Sequence, residues 1–176
     1  MPKYHPPKID KLLRRGFSDG GSSAVRGKAL EDLVCYLLGR IPGVTVVKRN
    51  AVDVGKTQEI DVACWNKRLR GGLDFLPYLL LVEAKNSSVR VSSRDVGWFI
   101  AKLEDMGLDF GILVARSGIT GRDRNSSAWG VVAKARRNGV RIAVLTQDDV
   151  ASLRHTDDFA GLVQRKLCEL VLLGTL

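Results

Sequence analysis

The chain has 176 residues, 45% hydrophobic and 27% charged, which is the mixture of one ordinary globular domain with room for a sizeable core. No apolar run approaches the roughly 18 residues of a membrane span, and the basic N-terminus lacks the apolar stretch of a secretory signal. Twenty-eight Lys and Arg against 19 Asp and Glu leave a net charge of +9, which favours a polyanionic partner because cationic surface releases counterions from a phosphate backbone.

Residues 1 to 20 read as a basic N-terminal arm, with prolines at 2, 6 and 7, then Lys11, Arg14 and Arg15, and Gly20-Gly21 at its end. It is expected either to fray or to lie on phosphates, and IDKLLRRGF can form a helical turn. Residues 21–176 read as a single domain. Ser22 or Ser23 can cap a first long helix. Its apolar positions Leu30, Leu33, Val34, Leu37 and Leu38 recur at helical spacing, and Ile41-Pro42-Gly43 ends it. VTVVKRN (44–50) reads as a strand, followed by a turn around Asp53 to Gly55. QEIDVACWN (58–66) alternates as a second strand, with Glu59, Asp61, Ala63 and Trp65 on one face. KRLRGG (67–72) is a basic turn. PYLLLVEAKN is a third strand whose continuous apolar run suits a position covered on both faces.

Ser92 or Ser93 then caps a helix with Val96, Phe99, Ile100 and Leu103 inward and Trp98 partly buried beside them. FGILVA (110–115) is another buried strand. The polar loop RSGITGRDRNSS leads to a helix near 127–138, VRIAVLT (140–146) is a strand, and a short helix covers 147–153. A terminal helix spans Asp157 to Leu173, with Phe159, Leu162, Val163, Leu167, Leu170 and Val171 on one side. Strands alternate with helices in the second half, so the expected fold class is α/β, a mixed sheet sandwiched by helices. Cys35, Cys64 and Cys168 are far apart and odd in number, and His5 and His155 are isolated, which argues against a structural zinc site or a disulfide framework. Buried free cysteines and a cytoplasmic location are expected.

The chemistry concentrates on three strand residues. Glu83 and Lys85 are two apart and project from one face, yet a bare charge buried there is costly. Either the strand end is exposed or something binds both groups. With five Glu and 11 Lys in the chain, chance alone supplies about 0.3 Glu-x-Lys triplets, so the triplet by itself decides little. Asp61 raises its weight. If the second and third strands pair, Asp61 lies beside Glu83, and two such carboxylates repel unless a cation sits between them. Hard oxygen ligands suit Mg²⁺ or Mn²⁺. Glu31 borders the apolar stripe of the first helix. It is either a solvated flank charge or a third acid of the same site, direct or through water. Glu59 reads as a flank charge or an auxiliary ligand.

Helix-Glu31, strand-Asp61 and strand-Glu83-x-Lys85 in this order resemble the PD-(D/E)xK nuclease superfamily, over roughly Gly27 to Val150. RGKALEDLVCYLL resembles its first helix, and EIDVACWN and LLLVEAKN its two catalytic strands. SSRDVGWFIAKLEDMGLDFGILVARSGIT and AKARRNGVRIAVLTQDDV are similar to the stretches that follow in Mrr-like restriction endonucleases. No proline precedes Asp61, which departs from the superfamily's name. The resemblance implies a restriction-endonuclease-like fold and a metal-dependent DNA endonuclease. Asp61, Glu83 and the Ala84 carbonyl would hold Mg²⁺ (Mn²⁺ being the alternative), Lys85 would serve the attacking water, and Glu31 would complete the site. DNA would be gripped by Arg26, Lys28, Ser87, Ser88, Arg90, Ser93, Arg94, Arg116, Arg122 and Arg124. Cutting both strands implies a homodimer. A Holliday junction resolvase on the same fold and a catalytically silent nucleic-acid-binding module are the competing expectations.

Overall fold

Apolar alternation in the middle of the chain closes into a five-stranded mixed sheet with helices on both faces. The structure, a computed structural model, describes residues 2–52, 59–121 and 127–172, with the side chains of 51 and 52 excluded. In chain order its elements are α1 (Pro6–Gly16), α2 (Ser23–Leu38), β1 (Val44–Val52), β2 (Glu59–Asn66), β3 (Leu79–Lys85), α3 (Ser93–Asp105), β4 (Phe110–Ala115), α4 (Ala128–Arg137), β5 (Arg141–Leu145), α5 (Gln147–Ala151) and α6 (Thr156–Leu172). The sheet order is β1-β2-β3-β4-β5. The first two pairings are antiparallel and the last two parallel, with α3 and α4 as the crossovers.

Local chemistry accounts for the helix starts. Ser22, Ser92 and Ser127 each accept a backbone N–H from three residues on, and Thr146 and Asp149 form a reciprocal capping box. The central strand β4 is buried along its whole length and β3 over residues 80–83, as two covered faces require. One core joins α1, α2, α5 and α6 to Val62, Cys64, Leu80, Val82, Ile112 and Val114. The other joins α3 and α4 to Ala63, Leu81, Leu113, Ala115, Ile142 and Val144. Buried Asn66 ends β2 and organises the 67–78 turn. Its Nδ2 donates to the carbonyls of Leu73 at 2.8 Å and Pro77 at 3.0 Å, while its Oδ1 accepts from the Arg68 N–H.

The N-terminal arm expectation needs correction. Most of that segment is α1, begun by Pro6-Pro7 and ended with Arg14 and Arg15 in its last turn, both favourable placements. Tyr4, Ile9, Leu13 and Phe17 belong to the core. The Tyr4 hydroxyl donates to the Leu37 carbonyl, the Tyr4 N–H donates to Arg154 O, and the Thr156 N–H donates to Pro2 O. An apolar stripe at 9, 13 and 17 outweighs the basic residues, which stay on the solvent side. Close approach to α2 depends on Gly16, where a Cβ would lie 2.3 Å from Leu30 Cδ2.

Smaller differences lie elsewhere. Of the cysteines only Cys64 is buried, and Cys168 is exposed. On α6 Leu170 is buried but Val171 faces solvent. The turn around Asp53 to Gly55 and the chain after Leu172 fall outside the described residues. Among the described residues no helix is long and apolar enough to cross a membrane.

Candidate active site

Register brings the strand acids together. β2 and β3 pair Val62 with Val82 and Ala63 with Leu81, so one further antiparallel step sets Asp61 beside Glu83. Side-chain alternation turns Asp61, Glu83 and Lys85 to the α3 side of the sheet, the side on which Ala63 and Leu81 are buried. The strands part there. Asp61 Oδ2 accepts the Ala84 N–H at 2.7 Å, a side-chain bond in place of the next backbone rung.

Glu83 sits between two ammonium groups. Lys85 Nζ lies 2.8 Å from Oε1, and Lys102 Nζ lies 2.7 Å from Oε2. Lys102 comes from α3 and also donates to the Glu59 backbone carbonyl. The side chains of Glu83 and Lys102 are only 11% and 12% exposed, against 34% for Lys85, so the first pair is the desolvated one. Burial drives the Asp61 carboxyl up to about 6, with the Glu83 charge as the next cause. The Ala84 N–H, Lys102 and Lys85 oppose that rise. Burial alone would lower the Lys85 ammonium, but the charge and hydrogen bond of Glu83 leave it above its ordinary value.

Two cavities meet at these strand ends. One, of about 460 Å³, is lined by Asp61, Glu83, Lys85, Asp95, Trp98 and Lys102. The other, of about 770 Å³, is lined by Lys28, Glu31, Arg49, Asp61, Ala84 and Asn86. Asp61 and Ala84 border both. Glu31 therefore opens onto the same strand end as Asp61 but from the α2 side. Its carboxylate lies 3.8 Å from Arg49, whose closer partner is Asp32 at 2.6 Å. Burial raises the Glu31 carboxyl and Arg49 counters it. Asn86 ties β3 to α2 by donating to Ser23 O and Oγ.

The proposed polar contacts divide. Lys28 borders the larger cavity, and Arg94 and Ser93 open α3 beside the smaller one. Ser88 and Arg90 are exposed, whereas Ser87 accepts the Val89 N–H inside its own turn. Arg90 faces a separate hollow with Ser117 and Lys166. Arg26 bonds Gly21 O and keeps its Nε buried without a partner, while Arg116 pairs with Asp19 at 2.7 Å. Arg122 and Arg124 lie outside the described residues. Trp98, expected to be partly buried, is 64% exposed, with the Arg94 guanidinium 4.7 Å over its ring. It stands beside the Phe99 stripe that α3 buries, and the cavity takes up the space next to it.

Two residues escaped the sequence reading. Lys102 is three places after Phe99, at the edge of the buried stripe of α3, and that position was its only signal. Arg49 sits on β1, and its pairing with α2 has no sequence mark. Among the described residues, no three of His, Cys, Asp and Glu converge closely enough to hold a metal ion by themselves. The oxygens that converge are those of Asp61 and Glu83 around Ala84, with lysines facing them. Compared with models of known protein families the chain matches none, and no curated protein matches it significantly.

Proposed function

We propose that this protein is a metal-dependent DNA endonuclease of the PD-(D/E)xK type on a restriction-endonuclease-like fold. One observation carries the reading: Asp61, Glu83 and Lys85 converge at the strand end where two cavities meet. The net charge of +9 supports a polyanionic substrate. The mixed sheet with helices on both faces is compatible with that fold.

The donor set fits a hard divalent cation. Burial and the neighbouring Glu83 hold the Asp61 carboxyl up at about 6, and added positive charge would relieve that cost. Asp61, Glu83 and the Ala84 carbonyl would hold Mg²⁺ or Mn²⁺, with Glu31 reached from the second cavity. Bound there, the ion would supply Lewis-acid stabilisation of phosphate charge and acidify the attacking water. Lys85 orients that water and offsets negative charge in the transition state. The Ala84 N–H fixes the Asp61 carboxylate. Lys28 and Arg94 contact flanking phosphates, and Trp98 packs against the substrate beside the site. Cutting both strands takes two such sites, so the active species is a homodimer, and the reaction belongs in the cytoplasm.

Incubating the protein with supercoiled plasmid, linear duplex and a four-way junction, in Mg²⁺ or EDTA, tests the reading. Mg²⁺-dependent cutting of plain duplex is expected. Symmetric nicks confined to the junction would make it a resolvase, and binding without cutting a silent module. Asp61→Ala and Lys85→Ala should each lower cleavage by about 10²-fold or more while the circular dichroism stays native. Full cleavage by either folded variant would refute the site.

A further inference from the structure

We propose that Lys102 is the resident counter-cation of this acid pair, occupying Glu83 until a divalent ion takes it. The inference rests on the metal-dependent reading above. Both Glu83 oxygens are already engaged, Oε1 by Lys85 at 2.8 Å and Oε2 by Lys102 at 2.7 Å. The two lysines are not equivalent. Lys102 is the more buried, and it bridges both strands of the site, bonding Glu83 on β3 and the Glu59 carbonyl on β2. It also does more than Lys85 to ease the ionisation of Asp61. It enters from α3, whereas Lys85 shares the strand with its partner.

Charge balance follows from this arrangement. With Asp61 and Glu83 ionised, the two ammonium groups neutralise the pair without any external ion. A divalent cation that binds Glu83 meets an ammonium group already on each oxygen, and Lys102, which enters from α3 and not from the strand itself, is the one displaced. Lys102 is a positioning residue. It holds the acid pair together, lowers its affinity for divalent ions, and on release places a positive charge in the cavity that receives the phosphate.

Calorimetric titration of the intact protein with MgCl₂ and with MnCl₂ tests the inference without any cleavage assay. Lys102→Met keeps the length of the side chain and removes the charge. It should bind either ion about tenfold more tightly than the wild type, because a like charge has left the site. Asp61→Ala should abolish binding in both backgrounds. Equal affinity of Lys102→Met and wild type, with binding still lost in Asp61→Ala, would overturn the role of Lys102 and leave the metal-dependent reading intact. No binding by any of the proteins would overturn both. If Lys102→Met does not fold, the wild-type protein decides. Its Lys102 ¹⁵N ammonium resonance, assigned by its loss in Lys102→Arg, should shift as Mg²⁺ is added. A resonance that stays fixed while Mg²⁺ binds would sink the inference.

Discussion

Asp61 has the most perturbed environment of the site, and its sign can be worked through. Its carboxyl is raised from 3.8 to about 6 by burial and by Glu83. Folding therefore favours the protonated form, so ionised Asp61 costs stability above pH 6. The cost fades as pH falls from 6 towards 4, where the unfolded chain also takes up its proton. Asp61→Asn keeps an oxygen for the Ala84 N–H and removes the charge. In EDTA it should stabilise the protein at pH 8 by about 1–2 kcal/mol, less than the full shift implies because solvent reaches the group and the substitution also gives up the attraction of the lysines. Urea unfolding should show this gain shrinking towards zero by about pH 4.5. Mg²⁺ should raise the wild-type melting temperature and leave that of Asp61→Asn unchanged, reversing the order of stability at saturating metal. An Asn variant less stable than wild type at every pH would mean that the Glu83 repulsion is already fully cancelled.

At the scale of elements, α1 is where sequence and structure part most clearly. α1 carries basic residues beside prolines, the composition of a loose arm, yet Ile9 is 1% exposed and packed in the core. Ile9→Ala should cost about 2–4 kcal/mol in denaturant unfolding, whereas a frayed arm would register almost nothing. Asn66 belongs to the same scale. Its amide donates to the carbonyls of Leu73 and Pro77 and accepts the Arg68 N–H, so Asn66→Ala removes all three bonds and should cost about 2–3 kcal/mol. Proteolysis in that variant should begin within 67–78. The burial of α1 was hard to read for a long-range reason. The N-terminal segment's role depends on partners far along the chain, Leu37 and Arg154, whereas Asn66 bonds within its own adjoining turn. The long strands and α2 were legible because their periodicity records burial in the sequence itself, and Leu30, Leu33, Val34, Leu37 and Leu38 are all buried.

For the whole molecule, charge is the property that should show in binding. If duplex DNA lies along the cavity rim, log Kobs should fall linearly with log salt, with a slope of about −0.9 for each phosphate neutralised. Arg94→Ala, which also unstacks Trp98, should reduce that slope by about one and weaken binding to all duplex sequences alike. A slope unchanged by the substitution would move the DNA path away from α3. Lys8, Lys11, Arg14 and Arg15 on the outer face of α1 are exposed but anchored by the helix beneath them. They form a basic surface on a packed helix where a basic arm was expected.

The sequence by itself determined the α/β class, the element order from α2 onward, and that Asp61, Glu83 and Lys85 fall on one face of two neighbouring strands. Alternation along a strand and two-residue spacing decide which side chains share a face, and both are local properties of the chain. Tertiary structure alone decided that α1 belongs to the core, that Trp98 faces solvent, and that Glu31 opens onto Asp61 from the opposite side of the sheet with Arg49 as its neighbour. It also brought Lys102 from the following helix onto Glu83. Those outcomes depend on sheet register and on which helix covers which face, and no local pattern encodes the charge that will stand opposite a buried acid.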